Sequence, residues 1–357
     1  FGRIYLGIKA HQWAARYLEE SEAERRWERF HQRSAQSIFQ TAVELGGLIL
    51  KGCQFIGSRS DLLPPEYVRV LSKLQDRVPP RPFPEIRDVV EEELGASLES
   101  VFPVFSRESV ASASLAQVHR AVLADGRIVA VKVQYPEIAA KVQSDLANLR
   151  ALFSAVGVVE RDFDLSPILD ELSEHLPREL DFHNEGLNAE RVAKFFEHRD
   201  DLQVPKVHWE LTTGRVLVSD FIDGIKISDK QKLEESGVDC QIVMKSLVEA
   251  YCEQILVNGF FHADPHPGNL MVLPSRKKDE PPSLVFLDFG LAKQLPPGFR
   301  QSSVRFAAAL LQGEPRVMAD AMMELGFETR DGSSLSLIHI SEPTRPRLIS
   351  YAVFCLK

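Results

Sequence analysis

The segment Phe261-His262-Ala263-Asp264-Pro265-His266-Pro267-Gly268-Asn269 decides the fold prediction for this chain. Downstream of it, the apolar run Leu284-Val285-Phe286-Leu287 ends in Asp288-Phe289-Gly290. The first segment has the form H-x-D-x-x-x-x-N, so Asn269 can turn back toward a metal ion near Asp264. Carboxylate and amide oxygens are hard ligands of the kind that Mg²⁺ prefers. Asn269 and Asp288 are therefore candidate ligands of one Mg²⁺ ion.

The order of these two segments resembles the catalytic loop and the metal-binding loop of protein-kinase-like sites for phosphoryl transfer. Such a reaction requires that charge on the phosphates be neutralised and that the acceptor be oriented. On this resemblance, Asp264 is a catalytic residue, with Lys132 and Glu185, and either accepts the proton of the acceptor or holds an attacking water. Chance is a poor explanation for both motifs in this order with a strand-like run before Asp288.

An upstream lysine fits the same scheme. The segment Ile128-Val129-Ala130-Val131-Lys132-Val133 alternates as a strand and follows the hairpin signal Asp125-Gly126. The V-A-x-K order resembles the small lobe of a kinase, where the lysine contacts the α- and β-phosphates. That lysine needs an acidic partner. We predict Glu185 as the partner of Lys132, with Glu179 as the alternative.

The expected phosphate loop departs from the kinase pattern because it has no G-x-G-x-x-G. Its small residues, proposed to bind nucleotide, are Ala111, Ser112, Ala113 and Ser114. Alanine restricts the positive-φ conformations that let a glycine backbone wrap around phosphates. We expect a stiff loop with altered nucleotide handling, in which the two serine hydroxyls replace part of the lost contacts.

The segment after Gly290 argues against ordinary protein phosphorylation. Ala292-Lys293-Gln294 and a helical pattern from Val304 to Leu311 follow it. There is no long polar activation loop and no A-P-E motif, and a protein substrate normally docks on that segment.

Composition restricts the classes further. The chain has 357 residues, 44% of them hydrophobic, which suits one large or two modest domains. A net charge of −9 disfavours sequence-independent binding of nucleic acid, which rests on basic surface. The four cysteines show no C-x-x-C pair and indicate free thiols in a reducing compartment. No apolar run approaches the length of a bilayer span.

Periodicity and punctuation suggest four parts. Residues 1–95 are expected to form a helical extension whose mixed charges mark a solvated face, the alternative being a membrane-surface helix. Residues 96–223 are expected to form a small lobe with a helical insert, and residues 224–334 a truncated large lobe. Residues 335–357 resemble a translated sequencing-library adapter, so we expect a non-native tail and exclude it from fold reasoning. The start at Phe1 leaves room for a missing targeting segment.

Taken together, these residues resemble the UbiB/ADCK family of atypical kinase-like ATPases over nearly the whole chain before residue 335. The marks of the family are a K-x-G-Q-like element, the alanine-rich loop, an E-x-D element, D-P-H-P-G-N and D-F-G: Lys51 to Gln54, Ala111 to Ser114, Glu179 and Asp181, Asp264 to Asn269, and Asp288 to Gly290. The resemblance implies an α+β, bilobal, protein-kinase-like fold. Its N-terminal helical extension would pack over the nucleotide cleft and bring Lys51 and Gln54 to the nucleotide, together with Glu179. Cys53 replaces the glycine of the family and is expected to crowd that helix against the cleft.

The resemblance also implies ATP or ADP and Mg²⁺ as cofactors, and a prenylquinone-type lipid or its biosynthetic enzymes as partners. It places the protein peripherally on a membrane: on the cytoplasmic face in a bacterium, or in a mitochondrion or plastid. The leading interpretation is an atypical ATPase or phosphotransferase that supports ubiquinone-type lipid biosynthesis or homeostasis.

Three alternatives stay open at this point. The first is a non-catalytic, nucleotide-gated scaffold, which the alanine loop and the extension favour. The second is an antibiotic- or choline-type phosphotransferase, which the K-x-G-Q region disfavours. The third is a metal hydrolase built on His262, Asp264 and His266, which Pro265 and Pro267 disfavour because they hold the stretch extended.

Overall fold

A computed structural model describes most of the chain: residues 7, 9–11, 13, 20–45, 49–50, 52–53, 57, 64–75, 79–159, 170, 173, 176–275 and 280–327. Lys51, Gln54 and the expected tail 335–357 lie outside the described residues, so the predictions made for them stay predictions. Backbone contacts divide the chain into two compact units, Phe1–Gly186 with Val207–Phe221, and Leu187–Lys206 with Ile222–Lys357. The expected domain boundaries, at 95/96 and 223/224, also stay predictions.

Helices and strands both contribute, which confirms the α+β class. The elements in chain order are α1 Glu20–Leu45, α2 Pro65–Leu71, α3 Phe83–Leu94, α4 Leu98–Val101, β1 Val104–Ser112, β2 Ala116–Val122, β3 Ile128–Gln134, α5 Ile138–Val159, α6 Phe182–Phe195, β4 Leu202–Gln203, β5 Val216–Asp220, β6 Ile225–Lys226, α7 Lys230–Glu235, α8 Cys240–Cys252, a π-helical segment Glu253–Asn258, β7 Phe260–His262, β8 Leu270–Leu273, β9 Ser283–Phe286, β10 Ala292–Gln294, α9 Phe299–Gln312 and α10 Pro315–Glu324. Of the helices within the described ranges, none has the length and apolar character needed to cross a bilayer.

The first unit contains an antiparallel sheet in the order β1-β2-β3-β5. Strand β3 alternates as its sequence predicts: Val129, Val131 and Val133 are fully buried, whereas Lys132 points to the other face and is half-buried. The valines pack into one core with apolar residues of α3. The Asp-Gly hairpin forms where it was predicted, and Gly126 adopts a φ of 87° there.

The apolar residues from Val101 to Phe105 favour a strand, but the strand does not begin at Val101. Val101 ends helix α4, and β1 begins only at Val104. The helix begins because the amide of Leu98 donates to Glu91 Oε1 at 2.8 Å and because the Leu98 side chain is buried. This local bond outweighs the β-propensity of the following apolar residues.

Helices α1 and α2 share a separate small core within the first unit. It consists of buried residues from both helices and their connections: Ala35, Ala42, Leu50, Tyr67, Val70, Leu71 and Leu74. The described part of the expected extension is therefore helical and has apolar residues of its own to bury. Cys53 packs against this cluster, and burial raises the pKa of its thiol to about 11.

The second unit contains a sheet in the order β4-β9-β8-β6 and a two-stranded sheet of β7 and β10. Strands β8 and β9 pair in antiparallel fashion, and the two β9 residues Val285 and Phe286 are fully buried. The two valines of the stretch Val204 to Val207 favour a strand, but the structure has none there. Leu202 and Gln203 pair in parallel with β9 instead, and Val207 makes only an isolated bridge with Ser219.

Candidate active site

The H-x-D segment folds into a short closed loop after β7. Asn269 Nδ2 donates to Asp264 Oδ2 at 3.0 Å. The turn between them is fixed by His266, whose Nδ1 accepts from the amide of Gly268 at 3.1 Å. A Cβ added at Gly268 would lie 2.9 Å from that ring nitrogen, so a side chain there would have to displace the His266 ring. The spacing of Asp264 and Asn269 thus brings their polar groups together, as the sequence indicated.

Asp288 stands at the end of β9 in a strained conformation. Its φ is 55°, a left-handed value that a residue other than glycine adopts only at a cost. The amide of Leu287 donates to the backbone oxygen of Asn269 at 2.8 Å, which joins this segment to the H-x-D loop. Asp264, Asn269 and Asp288 therefore belong to one pair of linked loops in the second unit.

His262 has a structural role that the motif alone did not reveal. The residue is fully buried, and its Nε2 donates to the backbone oxygens of Asp288 at 2.7 Å and Leu287 at 3.1 Å. Its Nδ1 lies 3.4 Å from the hydroxyl of Tyr251. Both ring nitrogens are engaged, so the geometry disfavours His262 as a ligand of a catalytic metal.

Across the described ranges, no three His, Cys, Asp or Glu side chains cluster as a metal centre. The pair of candidate ligands, Asn269 and Asp288, differs from the donor set of a zinc hydrolase, which takes three protein ligands. It fits Mg²⁺, which binds to one or two carboxylates and completes its coordination with phosphate and water.

Sequence reasoning missed two residues that support this loop. Gln254, in the π-helical segment, accepts from the amide of His262 at 2.9 Å through Oε1, while its Nε2 is buried with no protein partner. Burial raises the pKa of Tyr251 strongly, and the charge of Asp264 raises it further. In the sequence, Tyr251 and Gln254 resemble ordinary residues of an apolar helix. The one signal near them is the π-helical segment at the end of α8, because such segments often mark functional sites.

The first unit brings Lys132 and Glu185 together. Lys132 Nζ lies 2.8 Å from Oε1 and 2.9 Å from Oε2 of Glu185. The side chains are 17% and 4% exposed, so water screens the pair little. The ring of Phe182 lies 5.0 Å from Nζ and covers the ammonium group on another side. This pair holds the lysine in one position.

Glu179, the alternative partner, is half-buried and precedes α6 in the chain. The other member of the E-x-D element, Asp181, accepts from the amide of Asn184 at 3.1 Å through Oδ1, as an N-terminal cap does. Asp181 thereby supports the helix that carries Glu185. The nucleotide-binding role proposed for Glu179 stays a prediction.

The alanine-rich loop is a tight connection between β1 and β2. Ala111 and Ser112 end β1, and the amide of Ala113 donates to the backbone oxygen of Ala116 at 2.8 Å. None of the loop residues has a positive φ. The Ser112 hydroxyl lies 2.8 Å from that of Tyr135, and Ser114 is only 6% exposed. Contacts of the two serines with a nucleotide stay a prediction.

Comparison with known proteins gives the family. Residues 73–322 match the ABC1 atypical kinase-like domain. AarF domain-containing protein kinase 1 of Mus musculus is 42% identical over 272 residues, which cover 76% of this chain and 51% of that protein. Protein ACTIVITY OF BC1 COMPLEX KINASE 8, chloroplastic, of Arabidopsis thaliana is 36% identical over 329 residues, which cover 91% of this chain and 42% of that protein. The chain spans about half the length of these curated relatives.

A solved structure agrees with this assignment. The complex of Rv3197 with erythromycin from Mycobacterium tuberculosis superimposes with a TM-score of 0.61 at 26% identity, covering 88% of this chain and 78% of that one. The predicted kinase-like fold and the resemblance to UbiB/ADCK proteins are thereby confirmed. The chain belongs to the ABC1 atypical kinase-like family.

Proposed function

We propose that this chain is a Mg²⁺-dependent, ATP-binding atypical kinase or ATPase that supports prenylquinone biosynthesis or homeostasis. The observation that carries the proposal is the pairing of Lys132 with both carboxylate oxygens of Glu185. A lysine held in this way is preorganised to meet phosphate oxygens, and such positioning accounts for most of the catalysis in phosphoryl transfer.

Each polar group has a role in this proposal. Asn269 and Asp288 would hold Mg²⁺, which neutralises charge on the phosphates when it is bound. Lys132 binds phosphate oxygens. Asp264 orients an acceptor hydroxyl or a water, and the bond from Asn269 fixes the rotation of its carboxylate. His262 holds the backbone of Asp288 in place.

The segment after D-F-G supports a substrate other than a protein. The chain enters β10 at Ala292, which pairs with His262 of β7, and α9 begins at Phe299. Only a few residues separate β10 from that helix, so there is no long activation loop to receive a peptide. A small molecule or a lipid headgroup is the acceptor class that fits this arrangement.

The lipid part of the proposal draws on the family. One relative is named for the activity of the BC1 complex and is chloroplastic. By analogy, we propose that this protein works peripherally at a bacterial, mitochondrial or plastid membrane, beside a prenylquinone or its biosynthetic enzymes. No role in binding nucleic acid is proposed.

A second candidate is a nucleotide-gated scaffold without turnover. The alanine-rich loop favours it, because none of its residues has the positive φ with which a glycine loop wraps around phosphates. The two candidates differ in whether ATP is hydrolysed.

The test is phosphate release from Mg-ATP with and without a detergent-solubilised prenyl phenol. Wild type, Asp288→Asn and the matched control Asp239→Asn are compared. Asp239 caps α8 in the same unit, and asparagine caps a helix as well as aspartate does. We expect lipid-stimulated release in wild type and control, and none in Asp288→Asn. Nucleotide binding without release in any protein supports the scaffold, and release by Asp288→Asn contradicts the metal assignment.

A further inference from the structure

Tyr135 lies directly after β3, the strand that carries Lys132, and is 4% exposed. Its hydroxyl donates to the backbone oxygen of Ala113 at 3.0 Å and lies 2.8 Å from the Ser112 hydroxyl. Since a tyrosine hydroxyl has one proton, Ser112 is the donor in the second bond. The amide of Tyr135 also donates to the backbone oxygen of Leu115 at 3.0 Å. One residue therefore binds both sides of the alanine-rich loop.

The other side of Tyr135 meets the proline-rich segment. Arg81 lies between Pro80 and Pro82, in the stretch that precedes α3 and follows the helices of the extension in the chain. Its guanidinium carbon is 5.6 Å from the centre of the Tyr135 ring, within range of a cation–π contact. The same tyrosine thus contacts the linker through its ring and the loop through its hydroxyl.

A buried network fixes the backbone of that linker. The amide of Arg81 donates to Gln117 Oε1 at 2.8 Å, and Gln117 Nε2 donates back to the Arg81 oxygen at 3.4 Å. Gln117 Nε2 also contacts His119 Nε2 at 2.8 Å, while His119 Nδ1 contacts the Ser106 oxygen at 2.8 Å. These partners require a neutral His119 with its proton on Nδ1. The linker is therefore attached to β2, the strand that leaves the loop.

We propose that Tyr135 and Arg81 form a latch through which the linker positions the alanine-rich loop and so sets the affinity for nucleotide. Tyr135 is a positioning residue in this scheme and does not touch the substrate. The inference rests on the proposed function, because it takes the loop as part of the nucleotide site. The latch would link the N-terminal extension to the alanine-rich loop without involving Lys51 or Gln54.

The first test measures hydrogen exchange in the nucleotide-free protein, at the amides of Ala113 and Tyr135. The amide of Ala113 donates to the backbone oxygen of Ala116, and the amide of Tyr135 donates to the backbone oxygen of Leu115. Tyr135→Phe and Arg81→Ala are compared with Ser106→Ala and Arg87→Ala. Ser106 lies on β1, as Ser112 does, and its hydroxyl donates to a backbone oxygen. Arg87 forms ion pairs with Glu91 and Glu99. We expect faster exchange in the first two variants only.

The second test measures the Kd of the protein for a fluorescent ADP analogue in the presence of Mg²⁺. Loss of one hydrogen bond in Tyr135→Phe should weaken binding by about two- to tenfold. In the double variant Tyr135→Phe/Arg81→Ala, the Kd should rise by less than the product of the two single fold-changes, because both residues act through one contact. Unchanged exchange in Tyr135→Phe, unchanged Kd, or independent effects of the two substitutions each overturn the latch. If wild type binds no nucleotide, the proposed function fails, and the exchange data still decide whether Tyr135 and Arg81 hold the loop.

Discussion

The imidazole of His262 holds the backbone oxygen of Asp288 at 2.7 Å, and Asp288 is one of the two described non-glycine residues with a positive φ. The buried ring therefore stabilises a strained backbone whose side chain is exposed at the site. The histidine of H-x-D therefore contacts the backbone of the aspartate of D-F-G. The conformation of Asp288, the residue proposed to hold Mg²⁺, depends on this contact.

We predict that His262→Phe weakens the response to Mg²⁺ without removing a ligand. An aromatic ring is kept, although a larger one, and two backbone oxygens lose their donor, which should cost about 1–3 kcal/mol in the free energy of unfolding. The Mg²⁺ concentration for half-maximal nucleotide binding should rise. Tyr251→Phe is the control, since it removes only the longer 3.4 Å contact to the same ring. Equal Mg²⁺ dependence in wild type and His262→Phe would show that the contact does not position Asp288.

Glu185→Ala should separate the two candidate partners of Lys132. The substitution removes both contacts of Lys132 Nζ with the Glu185 carboxylate, and we expect a loss of about 3 kcal/mol in unfolding free energy. Nucleotide affinity should fall as well, because the lysine is no longer held. Glu179→Ala removes the alternative carboxylate and should have the smaller effect in denaturant titrations and in nucleotide titrations. The assignment is wrong if Glu179→Ala has the larger effect on affinity.

Glu137→Gly should stabilise the protein. Glu137 has a φ of 59° and an exposed side chain, and a left-handed conformation costs about 1 kcal/mol for a residue with a Cβ. Glycine removes that cost, in part offset by its greater freedom in the unfolded chain. Glu137→Ala removes the same carboxylate but keeps the Cβ, so it should give no gain. Chemical denaturation distinguishes the two variants, and equal midpoints would contradict the backbone explanation.

His119 should make stability fall on acidification. Burial lowers its pKa below 6.5, and its two neighbours require the neutral ring. Because the folded pKa lies below the unfolded one, the unfolded chain binds the proton first. The contribution is complete above pH 6.5 and is lost as the pH falls from there toward the folded pKa. The unfolding free energy of His119→Gln should decline less steeply over this window, and parallel curves would argue against the effect.

Local motifs predicted the parts of the fold that depend on neighbours in sequence. The Asp-Gly turn, the alternating β3 strand and the H-x-D loop each formed where the sequence placed them. Such features carry their own chemistry: a turn residue, a period of two, or a fixed spacing between polar groups. The family assignment rested on the D-P-H-P-G-N and D-F-G segments together with the K-x-G-Q-like, alanine-rich and E-x-D elements, and it was confirmed by comparison.

Contacts between distant segments were not predictable. Tyr135 follows a strand, and nothing local indicates that its hydroxyl meets Ser112 and Ala113. Gln117 alternates as an ordinary strand residue, although its amide binds a linker 36 positions away. The left-handed backbone at Glu137 also has no signal, because glutamate does not favour that conformation. These features arise only when separate elements pack.

The pairing of β7 with β10 has a pharmacological consequence. Phe289 is 3% exposed, lies edge-on to His262 at 5.2 Å, and its backbone oxygen accepts from Asn188 at 3.2 Å. The chain is then drawn into β10 by the register of Ala292 with His262. An inhibitor that displaces this phenylalanine would have to disrupt three interactions at the same time. These are the packing of its ring on His262, the hydrogen bond from Asn188 and the pairing of β7 with β10. We therefore expect an inhibitor that depends on an expelled phenylalanine to bind this protein poorly.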